Sequence, residues 1–451
     1  MKDVCDFTEG KILTPLLRFA FPVLCAMLLQ TMYGAVDLMI TGRFASVADV
    51  SAVSTGSFLM QVITFIITDI AMGMTILLGQ KIGEKKIDEG GYVIGSGCFL
   101  FFGISVFIAV SMQFLAPVFI KILNIPEKAY LPCKAYVRIC SSGAVFITAF
   151  NVIGSIFRGL GNSKLPLIVV GIACAFNVLG DLFFVAVLKM GASGAAIATV
   201  LAQALSVTIS FFIIQRVKLP FVFSWKNLKW NKRYASEIFG LGSPIALQDL
   251  LVSISFLAIT AIVNSMGLIV SAGIGIAERI CGFIMLVPSS YMQAISAFVA
   301  QNYGGGKMDR AKKAVFYGIA TSLIVGIFMF FSAFFFGDRM CRLFSDDSGV
   351  VFSGFQYLRA YAIDCLFTSF LFCFIGFYNG IGRTKFVMWQ GILGAFAVRI
   401  PVSYVFSKME PVSIFKIGLA TPCSSLLQIT LCMLYLLFVE KSLKKEKLAY
   451  L

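Results

Sequence analysis

Histidine is absent from this chain of 451 residues, and charged residues make up only 13% of it. Without histidine, the chain lacks the commonest protein ligand of metals and the side chain best suited to carry protons near neutral pH. The 12 cysteines are scattered through apolar segments without CxxC spacing, and we interpret them as reduced, buried thiols. These absences argue against a metalloenzyme, and we expect no cofactor.

The chain is unusually rich in apolar residues. Hydrophobic residues make up 59% of it and the mean hydropathy is +0.92, whereas about 25% of the residues of a soluble domain are charged. The apolar runs are continuous rather than alternating, which predicts helices and argues against a β-barrel. We therefore predict an all-α polytopic membrane protein with twelve spans. They lie at about 15–40, 50–79, 92–120, 135–157, 165–188, 191–215, 238–266, 270–299, 314–337, 357–379, 386–407 and 415–439.

The two halves of the chain repeat each other. GQKIGEKK at 79–86 corresponds to AQNYGGGK at 300–307, and RGLGNSK at 158–164 corresponds to NGIGRTK at 379–385. The separation between corresponding segments is nearly constant along the chain. Because each half has an even number of spans, we predict two parallel six-helix repeats related by an axis along the membrane normal. The predicted parts are an N-terminal lobe at 1–214, a linker at 215–237, a C-terminal lobe at 238–440 and a basic tail at 441–451.

Lysine and arginine concentrate on one side of this topology. A net charge of +15 would suggest nucleic-acid binding in a soluble protein, but here the basic residues lie in the short loops that membrane orientation requires, so we expect no nucleic-acid partner. Both termini and the linker are predicted to be cytoplasmic, in a bacterial inner membrane. The linker, with Trp225 and Trp230, either rests on lipid headgroups or is a plain solvated connection. Membrane lipids are therefore expected partners, and we expect the chain to act as a monomer.

An aspartate, Asp37, lies inside the first apolar run. An acid in hydrocarbon costs at least ~2.5 kcal/mol, so intramembrane acids usually face a bundle interior and mark ion or proton paths. Helical spacing places Tyr33 and Gln30 on the same face as Asp37. Pro22, about four turns before Asp37 in the same run, lacks the amide that would bond one turn back and predicts a bending point on the cytoplasmic side of the acid.

Polar residues of the fifth and sixth spans lie at the same depth as Asp37. Counting from the ends of the spans places Asp37, Asp181 and Thr199 roughly 9 to 12 Å below the outer surface at 1.5 Å per residue. Asn177 lies one turn from Asp181, and Gln203 one turn from Thr199. Their oxygens suit Na⁺, and two adjacent carboxylates would also retain a proton, so either ion fits. The alternative is that these groups only hydrogen-bond helices together.

Other intramembrane acids have different surroundings. Asp69 and Asp249 lie near mid-membrane and either line a cavity or make polar helix contacts. Glu278 adjoins Arg279, and Asp364 is five residues from Arg359, so we expect local neutralisation at both. The second half has Ala258 or Ile259 where the first has Asp37, and Val402 or Ser403 where it has Asp181. We therefore assign the ion-dependent work to the first lobe.

These segments resemble the multidrug and toxic compound extrusion (MATE) family over essentially the whole chain. The resemblance rests on FPVLCAMLLQTMYGAVDLMITGR, GMTILLGQKIGEKK, FRGLGNSK, FNVLGDLFF, GASGAAIATVLAQ and AQNYGGGK. It implies two six-helix lobes, alternating access, and export of organic compounds against H⁺ or Na⁺. In the DinF-like branch it implies an ion site at Asp37, Asn177, Asp181 and Thr199, with Gln30, Tyr33 and Pro22 nearby. Two departures are Val252, where the NorM-like branch carries a glutamate, and the asparagine of the fourth span, for which Asn151 is only a candidate.

The predicted function is a secondary exporter of amphipathic and cationic drugs or metabolites. The eighteen methionines and forty-six phenylalanines are expected mainly to pack or face lipid, and a minority would line an adaptable cleft. A flippase for lipid-linked oligosaccharides is the alternative, but it would favour a more basic cleft than Arg18, Arg279 and Arg399 supply. An intramembrane enzyme is a further alternative, but the sequence lacks the cluster of catalytic residues that such an enzyme would need.

Overall fold

A computed structural model describes residues 6–216 and 229–449. Over these residues the chain forms helices joined by short loops. Most of the linker, including Trp225, lies outside the described residues, and the predicted basic tail continues the last helix as far as Ala449. The helices are α1 Leu13–Phe44, α2 Val47–Gly83, α3 Ile87–Ile122, α4 Glu127–Ser142, α5 Ala144–Gly159, α6 Lys164–Asp181, α7 Gly191–Arg216, α8 Lys232–Asn264, α9 Leu268–Ile284, α10 Leu286–Gly304, α11 Met308–Arg342, α12 Ser348–Gly380, α13 Thr384–Ile392, α14 Ile400–Lys408, α15 Ile414–Gly418 and α16 Ala420–Ala449.

The helices account for the predicted membrane spans. Among the described residues, 11 helices are long and apolar enough to cross a membrane. A twelfth span results if α4 and α5, which are bent by 53° at Gly143, are counted together. Two short π-helical segments, Leu182–Val187 and Leu393–Arg399, continue α6 and α13. The all-α membrane fold predicted from the apolar runs is confirmed.

Two compact units divide the helices. One unit runs through Ala246 and also includes Ala300–Met308, and the other comprises Leu247–Val299 and the chain from Asp309 onward. The first unit has apolar cores around Met74 and Tyr136, and the second has a core around Tyr357. The predicted lobe boundaries at 214 and 238 stay a prediction, because α8 begins in the first unit and continues in the second.

The repeated glycine motifs meet within the first unit. A Cβ added at Gly83, at the end of α2, would collide with the carbonyl oxygen of Gln301, and one added at Gly304 would collide with that of Gln80. The two helix ends therefore cross at backbone contact distance, which only glycine permits. GQKIGEKK and AQNYGGGK, which correspond to each other in the internal repeat, therefore also pack against each other.

The N-terminal segment is fixed to the same crossing. Phe7 is fully buried, its amide donates to Gln301 Oε1 at 3.2 Å, and its carbonyl accepts from Asn302 Nδ2 at 3.0 Å. Its ring meets Phe19 of α1 edge-on, with 5.5 Å between ring centroids. The start of α1 is therefore held in place by the end of α10.

Interactions between the start of α2 and the start of α7 help to position the site described below. Ser46 and Asp49 form a capping box at the start of α2. The second carboxylate oxygen of Asp49 accepts a 3.0 Å hydrogen bond from the amide of Ala192 in α7. Gly191, with φ +56°, makes the close approach possible because a Cβ there would strike the Asp49 carboxylate.

Candidate functional site

Asp37 of α1 and Asp181 of α6 lie next to each other in the first unit. Their carboxyl groups are close enough for one proton to be shared between them. Both side chains are buried, with 4% of Asp37 and none of Asp181 exposed. The structure therefore brings together two acids from distant parts of the sequence.

Asn177 and Thr199 complete the set of four predicted ion ligands. Asn177 lies one turn before Asp181 on α6, and its Nδ2 donates a hydrogen bond to the Thr199 hydroxyl of α7 at 3.3 Å. This bond uses the donor of the amide and leaves its Oδ1 available. The arrangement presents oxygen atoms, rather than N–H groups, from three helices.

Several of these buried oxygens have no hydrogen-bond donor. In the part of the chain that the structure describes, this is true of Asp37 Oδ1, Asn177 Oδ1 and both carboxylate oxygens of Asp181. An unsatisfied buried oxygen is costly, and buried carboxylates are costlier still unless they are paired or bind a cation. The oxygens fit a proton or a hard cation such as Na⁺, which prefers carboxylate and amide oxygen ligands.

The backbone changes its helical form directly after Asp181. The π-helical segment Leu182–Val187 follows it without a break. One-turn π segments inside helices occur frequently at functional sites, because the extra residue changes which side chains face a partner. Asp181 therefore lies at a point where the register of the span shifts.

Three further side chains surround the acids. Tyr33 of α1, which the sequence predicted, interacts electrostatically with both Asp37 and Asp181. Tyr136 and Cys140 of α4, which sequence analysis missed, lie near Asp37 and are almost completely buried. Their one-turn spacing on a polar, Pro-containing helix was a signal, but it did not reveal that α4 packs on this site.

The other predicted residues of α1 and α7 lie around the site in different environments. Pro22 is buried within α1, which continues through it without interruption. Gln30 has an exposed side chain. Gln203 is partly buried, and its Oε1 has no hydrogen-bond donor among the described residues. The structure does not join Gln30 to the four ligands by any hydrogen bond that it shows.

The acids predicted near mid-membrane differ from each other. Asp69 of α2 is partly buried and has interacting partners, and the neighbouring Thr68 hydroxyl lies 3.1 Å from Asn151 Oδ1. Asn151 is buried in α5, and its Nδ2 donates to the carbonyl of Ile147 at 2.8 Å. Asp249 of α8 has an exposed side chain.

The expected local neutralisation of Glu278 and Asp364 is wrong. Glu278 accepts a hydrogen bond from the Thr260 hydroxyl at 3.3 Å, and the adjacent Arg279 points to the exposed surface of its helix. Asp364 lies near Arg399, which comes from another span.

Helix geometry explains both errors. The guanidinium of Arg359 stacks over the ring of Phe334 at 4.6 Å instead of meeting Asp364. Residues one or five positions apart do not share a helix face, so neighbours in the sequence were poor guides to partners.

A family model and several relatives match the chain. The model described as MatE matches residues 22–183 and again residues 244–405, which covers both halves. The probable multidrug resistance protein YpnP of Bacillus subtilis (strain 168) is 27% identical over 404 residues, 89% of this chain and 90% of the relative. The multidrug export protein MepA of Staphylococcus aureus (strain N315) is 22% identical over 410 residues, 89% of each chain.

Solved structures share the fold along the whole chain. A MATE protein in a bent conformation superposes with a TM-score of 0.92 and 18% sequence identity, covering 99% of both chains. The same comparison with a straight conformation gives 0.90 at 18% identity and the same coverage. A transporter of the MOP superfamily from Pyrococcus furiosus gives 0.91 at 18% identity, covering 98% of this chain and 99% of the other.

Proposed function

This chain belongs to the MatE family of membrane transporters, which are not enzymes, and from that premise we propose that it is a secondary multidrug exporter. In this proposal it expels amphipathic and cationic organic compounds in exchange for H⁺ or Na⁺. Asp37, Asn177, Asp181 and Thr199 bind the coupling ion. These first-half acids, together with Val252 in the second half, favour the DinF-like branch of the family.

One observation carries the ion site. Four buried oxygens, one each of Asp37 and Asn177 and both of Asp181, have no hydrogen-bond donor among the described residues. Polar groups that only held helices together would be expected to satisfy each other, as the Asn177 amide and the Thr199 hydroxyl do. Acceptors in excess of donors are what a site for H⁺ or Na⁺ requires.

The substrate class rests on the relatives and on the composition. YpnP and MepA carry names that refer to multidrug resistance or export. Aromatic residues make up 14% of this chain, and methionine adds flexible, polarisable side chains. Such surfaces bind organic cations through ring faces and adapt to ligands of different shape.

The proposed mechanism couples the ion to the shape of α1. Pro22 removes one backbone hydrogen bond from α1, so the helix can bend there at lower cost than elsewhere. Ion binding at Asp37 would favour one of two shapes of α1 and thereby one side of an alternating-access cycle. A differential ion affinity of about 5.5 kcal/mol is enough to move a two-state population from 1:99 to 99:1.

The membrane arrangement is part of the same proposal. The distribution of lysine and arginine favours a bacterial inner membrane with both termini in the cytoplasm. The lobes at 1–214 and 238–440 would be the two halves of a monomer, with the ion site in the first lobe. Asp69 and Asp249 are candidates for cleft-lining residues.

Efflux from vesicles tests the proposal. A fluorescent organic cation is loaded into proteoliposomes, and an inward H⁺ or Na⁺ gradient is imposed separately. We expect one of the gradients to drive efflux, and we expect Asp37→Asn and Asp181→Asn each to abolish it. Asp346→Asn, which neutralises an exposed acid of a loop, is the matched control and should leave efflux unchanged.

The proposal fails if both site variants, reconstituted at wild-type amounts, retain gradient-driven efflux. Efflux without either gradient would instead indicate passive movement of the compound. A requirement for a lipid-linked oligosaccharide would favour the flippase alternative. That alternative has little support, because Arg399 is buried, bonded to Ser255 and close to Asp364, and so is not an available basic residue of a cleft.

A further inference from the structure

A buried charged cluster lies in the second unit, apart from the acids of the first. Arg399, at the end of the π-helical segment Leu393–Arg399, is only 5% exposed. Its Nη1 donates to the Ser255 hydroxyl at 3.0 Å, and its guanidinium stacks over the ring of Phe256 at 4.3 Å. Asp364 of α12 lies near enough for the two charges to attract. A charged arginine so deeply buried in an apolar span requires such partners.

The internal repeat gives this cluster a counterpart in the first half. The two MatE matches begin at Pro22 and Pro244, and aligning these prolines places Asn177 on Arg399 and Tyr33 on Ser255. RGLGNSK at 158–164 and NGIGRTK at 379–385 are 221 residues apart, one fewer than the two prolines, and this separation places Tyr136 on Tyr357. Arg399, Ser255 and Tyr357 therefore occupy the repeat positions of Asn177, Tyr33 and Tyr136, whereas Asp364 has no acidic counterpart in the first half.

The chemistry of the two clusters differs in one respect. In the first half, neutral Asn177 lies beside two carboxyl groups, and oxygen acceptors have no donor. In the second half, the corresponding position supplies a permanent positive charge on a long side chain. A π-helical segment lies close to each cluster: Leu182–Val187 follows Asp181 in the first half, and Leu393–Arg399 ends at Arg399 in the second.

The second cluster still has acceptors that a cation could use. Asp364 is 2% exposed, and its Oδ1 has no hydrogen-bond donor among the residues that the structure describes. The Tyr357 hydroxyl is also buried and has no hydrogen-bond partner among the described residues, and Glu278 lies near Tyr357. Within this cluster, Asp364 is the carboxylate that interacts with the guanidinium of Arg399.

We propose that the second half retains a degenerate monovalent-cation site, in which the Arg399 guanidinium occupies the place of the ion and neutralises Asp364. The first half then binds the exchangeable ion, while the second carries a tethered cation that is never released. The coupling chemistry is asymmetric although the scaffold repeats. The comparison with the first half rests on the proposed ion site there, but the test below does not depend on transport.

Direct binding of radioactive Na⁺ to purified protein tests this assignment. The background is the full chain with Asp37→Asn and Asp181→Asn, which removes both acids of the first-half site. Adding Arg399→Asn places in the second half the side chain that the first half has at Asn177. We expect no saturable Na⁺ binding by the background and about one Na⁺ per chain after Arg399→Asn. Adding Asp364→Asn to that variant should abolish the binding.

Two further variants keep the test decisive. Arg399→Lys retains a tethered cation and should bind no Na⁺, and Arg399→Gln is the second neutral variant if Arg399→Asn does not purify as a folded protein. Na⁺-dependent thermal unfolding should follow the binding, rising only in the neutral variants with Asp364 intact.

Two results would overturn the proposal. One is a folded neutral variant that binds no Na⁺. The other is saturable Na⁺ binding by the background protein, in which Arg399 is intact, if Asp364→Asn then removes that binding. In that case the Arg399 guanidinium would not occupy the position of the ion. Neither result bears on whether Asp37 and Asp181 drive efflux, so failure here is distinguishable from failure of the proposed function.

Discussion

The side-chain amide of Asn177 donates to the hydroxyl of Thr199 at 3.3 Å and so joins α6 to α7 beside the two buried acids. The bond orients the side chain of Asn177. Because the amide nitrogen points to Thr199, the amide oxygen points away from it, where no protein group donates to it among the described residues. Thr199 consequently has two roles in the proposed site. It fixes the direction of the amide and contributes an oxygen of its own.

The first prediction is that Thr199→Val weakens ion coupling without abolishing expression. Valine has nearly the shape of threonine but cannot accept the Asn177 hydrogen bond, and a buried unpaired donor costs about 1–3 kcal/mol. We expect the ion concentration for half-maximal efflux to rise at least about fivefold, since 1.4 kcal/mol corresponds to a factor of ten. Efflux from proteoliposomes, measured against the concentration of the driving ion, checks this.

Thr199→Ser retains the hydroxyl and should restore most of the affinity. Thr208→Val is the matched control, because Thr208 lies on the same helix but is exposed and, among the described residues, bonds only to the carbonyl of Ala204. An unchanged ion dependence in Thr199→Val would remove Thr199 from the site.

The second prediction concerns the crossing of α2 with the end of α10. Gly83→Ala inserts a methyl group against the carbonyl oxygen of Gln301, where neither backbone can yield easily. Overpacking of this kind costs about 1–3 kcal/mol, and we expect a lower unfolding temperature and reduced yield. Thermal unfolding of the purified protein in detergent measures the effect.

Gly240→Ala serves as the control for this substitution. Gly240 lies within α8, and a Cβ there would meet no atom within 4 Å. Alanine is the better helix former by about 1 kcal/mol, so this variant should be neutral or slightly stabilised. Equal destabilisation by both substitutions would show that close packing at Gly83 is not the cause.

The sequence was sufficient for much of the fold because the membrane restricts the choices. Spans such as 165–188 and 191–215 agree closely with the observed Lys164–Val187 and Gly191–Ile214. The break of the fourth span at Gly143 was not predicted. A continuous apolar run identifies a span but does not reveal a bend between two packed helices.

Part of the candidate site could be predicted from the sequence for the same reason. Counting from span ends placed Asp37, Asp181 and Thr199 at one depth, and the structure brings them together. Tyr136 and Cys140 were missed because depth alone does not say which helices are neighbours. Arg399 was recognised as an arginine in a span, but its partner was not, since Asp364 comes from a different helix.

The third prediction tests the anchoring of the N-terminal segment. Phe7 is fully buried and packs against Phe19, so Phe7→Ala should leave a cavity and free the segment from the end of α10. Phe→Ala at buried sites costs about 3–5 kcal/mol, although a terminal segment can relax and reduce this. We expect faster proteolysis near the N-terminus and a lower unfolding temperature.

Phe21→Ala is the comparison for this prediction. Phe21 lies on α1 two residues beyond Phe19, but 67% of it is exposed in the structure. Its removal should leave the rate of N-terminal proteolysis unchanged. If Phe7→Ala is cleaved no faster than Phe21→Ala, the buried contacts of Phe7 do not hold the segment.

The fourth prediction concerns the charges that join α2, α3 and α8. Lys81, with 9% of its side chain exposed, contacts Glu89 at 2.9 Å and Glu84 at 3.2 Å, and Glu89 also accepts from the Tyr234 hydroxyl at 3.1 Å. Lys81→Met keeps the length of the side chain but leaves the two carboxylates without their shared cation. Removing one partner of a buried pair costs about 3–5 kcal/mol, and the partial exposure of both glutamates reduces this to about 1–3 kcal/mol. Thermal unfolding of the purified protein should therefore occur at a clearly lower temperature.

Lys86→Met is the matched control for Lys81→Met. Lys86 contacts the same Glu84 at 3.0 Å, but 55% of its side chain is exposed, and an exposed pair contributes about 0–1 kcal/mol. The unfolding temperature should therefore fall little in this variant. Raising the salt concentration should reduce the loss in Lys81→Met, because salt screens the remaining repulsion between Glu84 and Glu89. Similar losses in the two variants, with no effect of salt, would contradict a shared buried cation as the cause.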